Sequence, residues 1–148
     1  MCGFGFRQAV LQDVPAIEGL FLEMLSSIYG KPAETGYAAG YLHKFFSGGS
    51  DRIFIAEYEG VIVAYLSAEV YDGYMYLDDC CVKEGFRSRG IGSALFAMAQ
   101  EHANALSLPL AVLHAEKENR RAWALYERLG FSVFAEEGSR LKMVKRLQ

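Results

Sequence analysis

Apolar positions recur along the chain with two periods, and the switches between those periods mark its elements. Phe4 to Val10 alternates loosely and predicts a first strand, after which Asp13 stands as an N-cap with Pro15 in the first helical turn. Ile17, Leu20, Phe21, Met24, Leu25 and Ile28 follow at spacings of three and four, one apolar face of an amphipathic helix that stops before Gly30. Tyr37, Ala38, Tyr41, Leu42, Phe45 and Phe46 repeat that spacing and predict a second helix from about Glu34 to Phe46, broken by SGGSD.

The period then shortens. Arg52 to Tyr58 and Val61 to Val70 are β-branched and aromatic runs separated only by Glu59 and Gly60, a hairpin signal; YDGY turns the chain again, and Met75 to Lys83 is the next strand. EGFRSRG leads into a helix from Ile91 to Leu106 with Leu95, Met98 and His102 on one face, and Pro109 precedes a buried strand, LAVLH, at 110 to 114. NRRAWALYERLG, 119 to 130, reads as a short helix ending on Gly130, and FSVFA with LKMVKRL as a closing pair of strands. The order β-α-α-β-β-β-α-β-α-β-β predicts an α/β fold of mixed α+β type: about seven strands, mostly antiparallel with one parallel crossover, flanked by about four helices. In such sheets ligands tend to sit where strand C-termini meet helix N-termini.

At 148 residues, 52% of them hydrophobic and 14% aromatic, the chain is the size of one domain and too apolar for disorder, so residues 1–148 are expected to form a single unit. No uncharged apolar stretch approaches the roughly 18 residues of a membrane span, and the N-terminus lacks a secretory pattern, so a cytoplasmic protein is expected. Cys2, Cys80 and Cys81, an odd number with an adjacent pair, make a poor disulfide framework and fit a reducing compartment. Cys80, Cys81, His43, His102 and His114 show no metal-ligand spacing, so no metal is expected. A net charge of −3 with a pI near 5.6 argues against nucleic acid or an anionic membrane as partner and makes a cationic, amine-bearing molecule electrostatically easier.

The stretch RSRGIG, residues 87 to 92, sits between a strand and a helix and invites a phosphate. A Walker A loop needs GxxxxGK[ST]; Gly85 and Gly90 have that spacing, but Ile91 and Gly92 stand where Lys and Ser or Thr are required. A dinucleotide fingerprint starting at Gly90 fails at Leu95. What is left is an Arg-rich turn with two glycines ahead of a helix N-terminus, where free amides and the positive dipole end can hold a pyrophosphate, or where an ordinary strand-to-helix loop carries solvated arginines.

Three stretches in order, FRQAVLQDVPAIEGL, YLDDCCVKEGFRSRGIGSAL and LHAEKENRRAWALYERLGF, resemble the GNAT superfamily of acyl-CoA-dependent N-acetyltransferases over nearly the whole chain. The resemblance implies acetyl-CoA as co-substrate, with its pyrophosphate held by the amides of Arg87, Ser88, Arg89, Gly90, Ile91, Gly92 and Ser93, and its pantetheine arm paired like an added strand with the main chain of Cys80, Cys81 and Val82. It places Asn119 where the family commonly has a cofactor-touching Asn, a position that a helix N-cap explains equally well. Tyr126 matches the tyrosine that often protonates the departing thiolate; packing in the core would also account for it.

An amine with a pKa near ~10 must lose a proton before or during attack, so a base or a water chain is needed. His114 resembles the position of a general base in some family members, Asp79 is a candidate of equal standing, and Glu69 stands behind them. Asp78 and Asp79 interrupt an apolar strand, which places at least one of them at a wet cleft, and strand alternation sends the two to opposite faces. Neither Cys80 nor Cys81 has an activating partner in sequence, against an acyl-cysteine route. The family's acceptor side would be lined by the helical pair from Ile17 to Phe46 and the turn EEGSR, with Tyr29, Glu34, Tyr37 and Tyr41 able to receive a cation or, equally, to serve as core and surface residues. These features together imply direct acetyl transfer to a primary amine in a ternary complex by a monomer or homodimer. The alternative is a non-catalytic acyl-CoA sensor or a structural module.

Overall fold

A computed structural model of the chain describes residues 3–30, 32 and 35–147; Cys2 and Glu34, and the side chains at 28 and 29, lie outside that description. Seven strands form one sheet in the order β1-β2-β3-β4-β5-β7-β6. They are β1 (Phe4–Gln8), β2 (Arg52–Tyr58), β3 (Val61–Tyr71), β4 (Tyr74–Val82), β5 (Leu110–Glu116), β6 (Ser132–Glu137) and β7 (Arg140–Arg146). Every neighbouring pair is antiparallel except β4 and β5. The parallel step is forced by the crossover through α2 (Ile91–Ala105), because a helix between two strands returns the chain to the same end of the sheet.

Two apolar layers cover the sheet. On one face Ile91, Leu95, Phe96, Ala99 and Ala103 of α2 pack on Phe54, Leu66, Ala68, Met75 and Leu77, and α3 (Arg120–Arg128) lies beside it over β5. On the other, Val14, Ile17 and Leu20 of α1 (Val14–Tyr29) meet Ile53, Ile55, Tyr65 and Cys81. Each fully buried Ile or Leu contributes about 2 kcal/mol to that contact.

Two local expectations change. Asp13 occupies the N-cap of α1 but makes no side-chain cap bond; its carboxylate accepts from the Val10 amide and from both terminal nitrogens of Arg7 at 2.7 and 3.0 Å. The helix expected over 34 to 46 is a 3-10 helix over Tyr41–Phe46 only. Gly40 sits at φ 76°, a left-handed conformation that starts the turn and ends any helix before it, and a Cβ at Gly36 would press on Phe21 and Leu22 of α1 at 3.2–3.3 Å. The aromatic spacing that suggested a helix instead builds a column: the Tyr37 ring stacks on Phe21 at 4.0 Å and on Tyr41 at 5.4 Å.

Candidate active site

The sheet opens in its middle. β4 and β5 pair only from Tyr74, Met75 and Tyr76 to Leu110, Ala111 and Val112; beyond that β4 stays with β3 and β5 stays with β7. The main chain of residues 77–82 therefore presents a strand edge to the gap, where an extended ligand can add hydrogen bonds.

A bulge sets what faces each side of that gap. Leu77 lies opposite Ala68 and Cys80 opposite Leu66, so Asp78 and Asp79 together face the single residue Ser67, whose hydroxyl accepts from the Asp79 amide at 3.0 Å. Leu77 and Cys80, three apart, both pack on the α2 layer, and the two aspartates between them turn to the α1 face. The expectation that strand alternation separates them is thus corrected: the extra residue resets the alternation.

On the α2 and α3 face, the loop after β4 delivers the chain to the helix with Ser88 at φ 62° and Gly90 at φ 81°. Gly90 is the N-cap of α2 and provides no side-chain acceptor, so the amides of the first turn stay available to an anion. A Cβ at Gly92 would meet no protein atom within 4 Å; glycine there keeps open space above the helix end. Arg87 fastens the loop to β4 by donating from Nε to the Val82 carbonyl at 3.0 Å, and Arg89 lies over the Phe86 ring at 5.3 Å. This set fits the pyrophosphate of a nucleotide cofactor.

The same face holds the remaining cofactor-side residues. Asn119 caps α3, its Oδ1 accepting from the Ala122 amide at 3.2 Å. Tyr126 packs against Phe96 and Phe131, with ring centroids 5.7 and 6.4 Å apart; burial raises its pKa, with the neighbouring Cys80 adding to the effect, so the phenol keeps its proton. Burial pushes the Cys80 and Cys81 thiols up to about 12, and Cys81 Sγ rests 3.1 Å from the Met24 sulfur. Neither is a thiolate at neutral pH, which disfavours an acyl-cysteine. Between α2, Leu129 and Phe131 lies a cavity of about 200 Å3 whose lining includes Leu77, Ser93 and Phe96.

The α1 face is polar and acidic. Tyr37 donates to Asp79 Oδ2 at 2.6 Å and pairs with the buried Tyr65 hydroxyl at 2.8 Å. Burial raises the Asp79 carboxyl and Glu69 adds to it, against the Tyr37 hydrogen bond. Asp78, more open, is raised to about 6 by burial, then by Asp79 and Glu69. Glu69 itself is buried and paired with Lys44. His114, on β5, is engaged at both ring nitrogens, Nδ1 with the Tyr76 hydroxyl and Nε2 with Glu137, each at 2.7 Å. Among the described residues no three His, Cys, Asp or Glu side chains gather as a metal ion would require.

The sequence profile of the acetyltransferase (GNAT) family matches residues 20–131. The chain belongs to the GNAT family. Among its GNAT relatives, the uncharacterized N-acetyltransferase YjgM of Escherichia coli K12 is 30% identical over 84% of this chain and 80% of that protein. Mycothiol acetyltransferase of Streptomyces avermitilis is 32% identical over 82 residues, 54% of this chain but 27% of that protein. The chain thus matches about a quarter of that relative's length. The GNAT fold is shared with PaiA N-acetyltransferase from Thermoplasma acidophilum, solved in complex with coenzyme A, at a TM-score of 0.81 and 16% identity over 97% of this chain and 98% of that one. It is shared also with the ribosomal-protein-S18-alanine N-acetyltransferase of Escherichia coli, at 0.78 and 16% over 98% and 94%. The chain accordingly has the mixed seven-stranded GNAT sheet.

The site draws on residues that the sequence offered and on others it did not. Cys80 and Tyr126 share the α2 face, and Gly90 to Ser93 and Asn119 open the two helices on that face, whereas Cys81 turns to α1, Arg87 borders α1 beside it, and Asp79 and His114 lie on the α1 face. Tyr76 and the pairing of Glu137 with His114 escaped the sequence reading. Tyr76 occurs in a run of aromatic strand residues with no local mark, and Glu137 is twenty-three positions from its partner.

Proposed function

We propose that the chain transfers an acetyl group from acetyl-CoA to a primary amine by direct attack in a ternary complex across the gap between β4 and β5. That gap carries the reading, because it is where an uncapped helix N-terminus on one face and an acidic, tyrosine-rich surface on the other come together. Coenzyme A supplies the acyl group as a thioester. The first-turn amides of α2 and the loop from Arg87 to Ser93 hold its pyrophosphate, the main chain of Cys80 to Val82 aligns the pantetheine arm, and an amide in that stretch polarises the carbonyl. Tyr126 stays protonated and gives its proton to the leaving sulfur. Asp78 and Asp79, with Tyr37 and Tyr41, draw a cationic amine to the opposite side and hold it facing the carbonyl.

The relatives' printed names agree with an N-acetyl transfer, and the net charge of −3 favours an amine over an acidic acceptor. The test is a transfer assay with acetyl-CoA over butylamine, 1,4-diaminobutane, lysine and an alanine-initiated peptide, run beside thermal unfolding with and without acetyl-CoA. Stabilisation together with turnover is expected. Stabilisation with no turnover on any amine makes the chain a non-catalytic acyl-CoA sensor, and neither result leaves a structural module.

A further inference from the structure

We propose that Tyr76, His114 and Glu137 form a proton relay from the acceptor face to solvent, in which the Tyr76 hydroxyl takes the amine proton and the other two hold Tyr76 ready for it; the inference rests on the transferase reading above. Tyr76 is the last β4 residue paired to β5, so it stands where the gap begins, and it shares its face with Asp78 and His114 rather than with Met75 and Leu77. Its hydroxyl lies 2.7 Å from His114 Nδ1, and His114 Nε2 lies 2.7 Å from Glu137 Oε1.

The protons in this chain are fixed by chemistry. The His114 contact holds the Glu137 carboxyl below its usual range, so it is ionised and can only accept; Nε2 must carry a hydrogen. In the neutral ring Nδ1 is then bare, and Tyr76 must donate to it. Arg140 donates to the Tyr76 oxygen on one side, which leaves its second lone pair for an N–H of the acceptor. His114 is about 15% exposed at its side chain and Glu137 about 46%, so the chain runs outward from the gap.

The relay balances the reaction. It runs twice: it first carries one proton from the bound ammonium through Tyr76 and His114 to solvent, which frees the nitrogen lone pair. As that nitrogen bonds to the acyl carbon, the C–S bond breaks with its electron pair on sulfur, which takes the Tyr126 proton. The amine proton passes to the Tyr76 oxygen while Tyr76 gives its own to Nδ1. The resulting imidazolium, held by Glu137, returns a proton to solvent, and Tyr126 regains one from water.

Charged groups face the relay from every neighbouring element: Asp78 on β4 and Arg140 on β7 act on Tyr76, Lys142 lies directly across from His114 on β7, and Lys142 and Arg140 both act on Glu137. Among them Glu137 touches the His114 ring itself.

The experiment measures kcat against pH for the wild-type enzyme, Y76F, H114A and E137Q, using whichever panel amine turns over, together with the nitrogen resonances of the His114 ring. Expected are a wild-type His114 ring protonated at Nε2, a fall in kcat of about 10- to 100-fold in Y76F and H114A, and a smaller fall in E137Q. Restoration of H114A turnover by added imidazole would support proton transfer over a packing role. A ring protonated at Nδ1 overturns the relay whatever the activity. Unchanged kcat in all three variants overturns it while leaving the transferase reading intact. A wild-type protein that binds acetyl-CoA but acetylates no amine overturns the transferase reading and the relay with it.

Discussion

The two faces of the sheet at the β4–β5 gap are built in different ways. The α2 face exposes main chain: uncapped amides, a left-handed Gly90, open space over Gly92 and a strand edge at residues 77–82. The α1 face exposes paired side chains: Tyr37 on Asp79, Lys44 on Glu69, His114 between Tyr76 and Glu137. Main-chain donors are the same in every sequence that can adopt the turn, which suits a ligand common to a whole family. Side chains change with each substitution, which suits an acceptor particular to one member.

If that division holds, damage to the two faces should separate in kinetics. The largest effect is expected from Gly92→Asp, which puts a carboxylate and its bulk against the first-turn amides: acetyl-CoA should no longer raise the unfolding temperature, and kcat/KM should fall by about 100-fold or more. Retained stabilisation by acetyl-CoA would move the pyrophosphate elsewhere. Tyr126→Phe comes next. It should lower kcat by about 10- to 100-fold with little change in the KM for acetyl-CoA, and unchanged turnover would remove the acid role.

On the opposite face Asp79→Asn should raise the KM for the amine by about tenfold while acetyl-CoA still stabilises the protein, and an effect on acetyl-CoA binding instead would erase the distinction between faces. The smallest effect lies away from the gap, at Asp13. Its carboxyl is held below the usual range by the Arg7 hydrogen bonds, so the stability it contributes is present above pH ~4 and lost as pH falls through the lower folded-state value. Asp13→Asn should cost about 1–2 kcal/mol at pH 7, discounted for the solvent around Arg7, and progressively less as pH falls below ~4; chemical denaturation across that range reads this directly.

The legible part of the site was the part written in consecutive residues. Strand, Arg-rich turn and helix follow one another over 76 to 95, so the cradle is local and its pattern survives in one dimension. The opposing face is assembled from separate elements, and a bulge of one residue at Asp78 and Asp79 reverses which side a whole strand segment serves. No periodicity announces such an insertion. His114 was visible as a polar strand end, but its partners were not, because Glu137 reaches it only through the β5–β7–β6 order.

By itself, then, the sequence determined most of the alternation of strands and helices, the mixed sheet and the glycine-bearing turn into α2, since periodicity, glycine conformation and turn chemistry act over neighbouring residues. It misjudged the segment before Tyr41, where helical spacing served an aromatic stack on α1 and Gly40 broke the helix. Only the tertiary structure decided how far β4 and β5 run together, that both aspartates turn to the α1 face, and which side chains complete His114. Those features depend on strand register and sheet order, contacts between residues far apart in the chain whose formation leaves no local trace.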